Sequence, residues 1–200
     1  TAGGYSYQFG TNPVVNISGL VPFTFNGMNG DDLMSANLNA NPLPTGVFFN
    51  GGAEDFTILT PTPNHGDVIR VVGDGTQTAE YRAFGTPGLL NKNVNINTTS
   101  GLITATGVEP GDVTGMAVVN VYFDGGNEVL TITNGVDAGT GLNQALVVTG
   151  TTGGNPFEGA FLWNNTQANI DAADVSLGGT DGNDSVTITG GTNAHGNVNV

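Results

Sequence analysis

The residues best suited to chemistry in this chain are acids and amides set on glycine turns. Gly178-Gly179-Thr180-Asp181-Gly182-Asn183-Asp184 runs straight into the alternating stretch Ser185-Val186-Thr187-Ile188. Asp181, Asn183 and Asp184 place hard oxygens on a tight turn, and hard oxygens are what Ca²⁺ takes. The glycines open backbone conformations that L-residues avoid. Looser echoes stand at Gly30-Asp31-Asp32 before Leu33-Met34, at Gly51-Gly52-Ala53-Glu54-Asp55 before Phe56-Thr57-Ile58, and at Asp124-Gly125-Gly126-Asn127-Glu128 before Val129-Leu130-Thr131-Ile132. A calcium ion needs about six to eight oxygens, more than one such turn supplies, so a neighbouring turn has to contribute. Asp181, Asn183 and Asp184 lead the candidate ligands, followed by Asp31 and Asp32, then Asp124 and Glu128. The competing reading is that these side chains close Asx-turns and solvate the loops.

Other chemistries lack their parts. His65 and His195 are the only histidines and there is no cysteine, so a zinc site has too few nitrogen and sulfur ligands. No Gly-x-Ser-x-Gly elbow presents a nucleophile. Asp31-Asp32 and Glu54-Asp55 are acid pairs of the kind glycoside cleavage uses, but both fall in the recurring turn position. The expectation is a protein without catalytic activity.

Composition narrows the partners. Three basic residues (Arg70, Arg82, Lys92) face 17 acidic ones, a formal charge of −14. Nucleic acid binding needs clustered Lys and Arg, and an anionic membrane surface would repel this chain. No apolar run approaches the ~18 residues of a membrane span. Charged residues make up 10% of the chain, and 33 glycines with many Asn and Thr replace ion pairs by amides and hydroxyls as the solvated surface. The acidic loops favour a calcium-rich, extracellular or cell-surface setting. The start at Thr1 reads as that of a mature or excised product.

The elements that carry these turns read as strands. Val, Ile, Phe, Tyr and Thr alternate with polar residues in short runs near 14–17, 22–25, 46–49, 56–59, 68–72, 79–84, 94–97, 102–106, 117–123, 129–133, 145–149, 160–163, 174–177, 185–189 and 197–200. Residues 165–173 read as one helical turn capped by Asn164 or Asn165. Residues 37–46, 60–66, 85–93, 135–143 and 150–157 read as loops. No linker divides the chain, so residues 1–200 form one all-β module. The preferred architecture is an irregular parallel β-helix or β-solenoid, with a β-sandwich as the alternative. Tyr5, Tyr7 and Phe9 alternate near one terminus and Asn197–Val200 ends the chain on a strand-like run. Both ends are expected to engage another copy or a neighbouring module.

Val15-Asn16-Ile17-Ser18-Gly19-Leu20 before Gly30-Asp31-Asp32, Ser35-Ala36-Asn37-Leu38-Asn39 after it, Gly107-Val108-Glu109-Pro110, Thr149-Gly150-Thr151 and Asn155-Pro156-Phe157-Glu158-Gly159 follow one another in a specific order. That order, closed by the Gly-Asn-Asp turn, resembles the repeat modules of very large secreted proteins of planctomycete-type bacteria. These are similar in style to hemolysin-type calcium-binding repeats. The chain departs from the hemolysin nonapeptide by the extra residue in Thr180-Asp181, by Glu128 in place of aspartate, and by Ala53-Glu54 in place of a second glycine. The resemblance implies an extracellular repetitive β-fold, calcium, and no catalysis. Together these readings lead to an extracellular structural protein that self-assembles as a filament, sheath or surface layer, or forms one module of a long surface adhesin, stabilised by calcium. It would be a homo-oligomer or polymer. The alternative is a glycan-binding or polysaccharide-processing β-helix protein whose partner is a cell-surface glycan.

Overall fold

A computed structural model describes residues 4–7, 15–18, 22–27, 32–38, 43, 46–52, 67–84, 93–108, 111–123, 127–136, 142–171, 183–189 and 196–200. All elements among them are strands: β1 (Gly4–Tyr7), β2 (Val15–Ser18), β3 (Phe23–Asn26), β4 (Leu33–Asn37), β5 (Val47–Asn50), β6 (Val68–Val72), β7 (Thr78–Phe84), β8 (Asn93–Thr98), β9 (Gly101–Thr106), β10 (Gly111–Thr114), β11 (Val118–Tyr122), β12 (Val129–Val136), β13 (Asn143–Thr152), β14 (Asn155–Trp163), β15 (Gln167–Asp171), β16 (Ser185–Ile188) and β17 (Asn197–Asn199). Among the described residues no helix is long and apolar enough to cross a membrane.

β1 and β2 form an antiparallel pair. The other strands build two mixed sheets. One has seven strands in the order β16-β12-β13-β14-β10-β6-β4, and the other eight in the order β17-β15-β11-β7-β8-β9-β5-β3. From β3 onward the chain passes from one sheet to the other at almost every step. The exceptions are two antiparallel meanders, β7-β8-β9 in the eight-stranded sheet and β12-β13-β14 in the seven-stranded one. The remaining ladders, such as β4-β6-β10-β14 and β7-β11-β15-β17, are parallel. Stacked parallel strands and antiparallel hairpins thus occur side by side.

The period-two pattern explains the packing. Ile69, Val71, Val113, Val119, Val121, Leu130, Ile132, Ile96 and Ile103 point into one core shared by both sheets. Gly111 shows how closely the sheets meet: a Cβ there would stand 2.6 Å from Cε2 of Tyr81, which belongs to the opposite sheet. The outward face of the eight-stranded sheet carries an amide ladder. Asn199 donates to Asn169 and Asn169 to Asn120, at 2.8 and 2.7 Å, along paired positions of β17, β15 and β11.

Two expectations are corrected. The helical turn expected over 165–173 is absent from its described part, residues 165–171; Gln167–Asp171 is β15, with Ala168 and Ile170 turned inward at strand spacing. Residues 150–157 are no loop, because β13 and β14 run to Thr152 and from Asn155 and are joined by Gly153-Gly154 alone. Both glycines have positive φ (54° and 81°), the conformation a two-residue hairpin requires. The expected strands at 56–59 and 174–177 lie outside the described residues.

Candidate functional site: acids at the strand entrances

Where the chain enters the seven-stranded sheet, an acid repeatedly stands just before the strand: Asp32 before β4, Asp67 before β6, Glu128 before β12 and Asp184 before β16. Parallel register makes neighbours of them. Leu33 pairs with Val68, which sets Asp32 beside Asp67, and Val129 pairs with Ser185, which sets Glu128 beside Asp184. Both pairs share one geometry. The Asp32 N–H donates to Asp67 Oδ1 at 2.8 Å, and the Glu128 N–H donates to Asp184 Oδ1 at 3.1 Å. The Val68 N–H returns to the Asp32 carbonyl at 2.7 Å, and the Ser185 N–H to the Glu128 carbonyl at 2.8 Å. A carboxylate therefore extends each ladder one step beyond its last carbonyl, satisfying an N–H that the sheet would leave bare.

The surroundings of the two pairs differ. Asp67 is fully buried and its Oδ2 lies against Gly51, where any Cβ would collide with that oxygen and with the Gly107 carbonyl. Gly27 repeats the relation one strand over: a Cβ there would stand 2.6 Å from Asp32 Oδ2 and 2.7 Å from the Gly51 carbonyl oxygen. Asp32 Oδ2 is itself buried and takes no hydrogen bond among the described residues.

Glu128 is 0% exposed, whereas Asp184 is open to solvent. The Thr152 hydroxyl, at the end of β13, donates to Glu128 Oε1 at 2.8 Å. Glu128 Oε2 is buried without a donor among the described residues. Burial pushes the Glu128 carboxyl up from its ordinary value, the Thr152 hydrogen bond works against that rise, and the adjoining Asp184 carboxylate adds to it.

A further buried acid lies inside β10. Asp112 Oδ2 stands 3.5 Å from Arg70 Nε, and the two are register partners on adjacent strands. Asp112 is fully buried and Arg70 nearly so, and the outward face of this sheet also holds a small apolar group of Ala145, Val147, Phe161 and Trp163. On the other sheet Arg82 lies 4.0 Å above the ring of its register partner Tyr122. Of three basic residues in the chain, two are thus engaged with strand neighbours.

Of the expected ligands, the structure brings Glu128 and Asp184 together and places Asp32 at the opposite edge of the same sheet. The Asn183 N–H donates to Asn127 Oδ1 at 2.8 Å, so the two asparagines also face across the strands. Asp31, Asp124, Asp181, Glu54, Asp55, His65 and His195 lie outside the described residues. Among the described residues no three His, Asp or Glu side chains gather as a metal-holding group. Asp67 and Asp112 were not singled out by sequence reasoning. Asp67 carried a usable signal, since it precedes the apolar run Val68–Val72 as Asp32 precedes Leu33. Asp112 carried none, because Gly-Asp-Val-Thr reads as a turn. Comparison with family models, with curated proteins and with solved structures finds no match to this chain.

Proposed function

We propose that this chain is a non-catalytic structural module of an extracellular surface, and that it assembles end to end by parallel strand pairing into an extended two-sheet coil of the solenoid kind. The observation that carries this reading is the matching of the two ends. One end exposes the edge strands β16 and β17, the other exposes β3 and β4, and among the described residues none of these four has a second neighbour. Each sheet contains two antiparallel steps, so its direction is restored across the meander. β16 therefore runs the same way as β4, and β17 the same way as β3. A second copy stacked without rotation would add parallel strands to both sheets at once, a heterologous contact of the type that propagates.

The acid rule supplies a register for that contact. In each of the two pairs, the later acid accepts the N–H of the earlier one. Asp184 is the last described member and Asp32 the first. Among the described residues no N–H reaches the Asp32 carboxylate from a strand beyond β4. Seating Asp32 of the next copy beside Asp184 repeats the geometry a third time and sets Leu33 opposite Ser185. Leu33 and Ile188 are 54% and 58% exposed on these edges, apolar side chains that stacking would cover. The charge of −14 per chain opposes stacking, so association is expected to strengthen with ionic strength.

Sedimentation velocity across a concentration series, with negative-stain imaging, tests this reading. The expected result is a growing species that Ile188→Pro abolishes. Thr189 N–H donates inward to Ile132, so by alternation the Ile188 N–H faces the open edge, and proline removes an outward donor with little internal loss. A wild-type chain that stays monomeric throughout would overturn the proposal.

A further inference from the structure

We infer that Glu128 and Asp184 together hold a divalent cation of the calcium type on the solvent-facing side of the β12-β16 entrance. The pair is contained in one chain, so the inference stands independently of end-to-end assembly. Two observations point to it. The first is the juxtaposition itself: parallel register sets the two acids side by side, with the Glu128 N–H on Asp184 Oδ1 at 3.1 Å. The second is an acceptor without a donor: Glu128 is 0% exposed, its Oε1 is occupied by the Thr152 hydroxyl, and its Oε2 is buried with no hydrogen bond among the described residues.

A buried carboxylate oxygen beside a second carboxylate is costly unless a positive charge comes between them. Among the described residues no basic side chain does so: Arg70 is engaged with Asp112 and Arg82 with Tyr122. The donor set is all oxygen, which selects a hard cation over zinc or copper. Because Asp184 is exposed, water completes the shell on one side. Calcium suits this better than magnesium, since it accepts irregular geometry and surrenders water readily. The Asp32–Asp67 pair is not assigned an ion, because Gly51 packs directly against Asp67 Oδ2.

The test is a calcium chloride titration of chelator-treated protein, followed by calorimetry and by thermal melting, on wild type, Glu128→Gln and Asp184→Asn. The expected wild-type result is saturable binding with a rise in Tm. Both variants are expected to bind about ten-fold more weakly or worse, because each loses one of two charged ligands. In chelator, Glu128→Gln is expected to melt above wild type, since an amide beside Asp184 replaces a repelled carboxylate by a donor. Should Glu128→Gln fail to fold, Asp184→Asn decides the question, being a change at an exposed side chain. The inference is overturned if wild type shows no calcium-dependent rise in Tm, or if the variants bind calcium as wild type does. A pair stabilised by acid alone and indifferent to calcium holds a shared proton, and that outcome also overturns it.

Discussion

Asp67 and Glu128 are both withdrawn from solvent at a strand entrance, and their neighbours differ. Asp67 lies in a slot whose walls are backbone: Gly51 at its Oδ2, the Gly107 carbonyl behind, and the Asp32 N–H on its Oδ1. Glu128 is roofed by a hydroxyl from the β12-β13-β14 meander and faces an exposed acid of like charge. The backbone rule is the same, but one site is fixed by packing and the other borders solvent beside a like charge. The contrast teaches that recurrence of a turn in a chain does not make its copies equivalent. Which side chain the next strand brings decides whether an acid serves the ladder or a ligand.

The largest expected effect breaks the packed site. Gly51→Ala drives a Cβ into the Gly107 carbonyl and Asp67 Oδ2 and is expected to cost about 3 kcal/mol or more, read by denaturant unfolding. A cost below ~1 kcal/mol would show that the slot is not what fixes Asp67. Asp67→Ala comes next, at about 2 kcal/mol, because it leaves the Asp32 N–H without its acceptor; Asp184→Ala at the open site is expected to cost less than half of that, since water reaches the Glu128 N–H more easily there. Thr152→Val follows, at about 1–2 kcal/mol, by stripping the donor from Glu128 Oε1.

The smallest effect has the opposite sign. Without cation at neutral pH, Glu128→Gln is expected to stabilise the fold slightly, because it removes a carboxylate that burial and Asp184 disfavour. The linkage follows from the direction of the shift. A carboxyl whose folded pKa lies above its ordinary value of 4.5 binds its proton more tightly in the fold. Its contribution therefore improves as pH falls from above the folded pKa towards 4.5, and is level below that. Asp74 works the other way: the Thr76 hydroxyl and N–H hold its carboxyl below 3.8, so its contribution is lost only in stronger acid. Melting curves between neutrality and mild acid should thus rise in wild type relative to Glu128→Gln, and equal slopes would remove the like-charge account of this site.

The strands were largely legible in the sequence, because alternation survives wherever one face is buried. Val68–Val72 is found as expected, and Ala168 and Ile170 show the same spacing in the stretch misread as a helical turn. β10 was not legible: Gly111 is there because Tyr81 presses on it, and Asp112 because Arg70 lies opposite, both facts of tertiary contact. The acid positions were legible as turns but not as pairs, since Glu128 and Asp184 are joined only by the register of strands 56 residues apart. The meanders were equally hidden, because a run of alternating residues does not say whether its neighbour is parallel or antiparallel.

The central claim is stacking of copies in the register that the acid column sets. The chain has no cysteine, so a cysteine pair reports on that register without background. In a chain carrying Leu33→Cys and Ser185→Cys, mild oxidation is predicted to give a ladder of covalent oligomers. An off-register control with Leu33→Cys and Ile188→Cys is predicted to give little. A ladder absent from the first chain, or equal in both, would contradict the account.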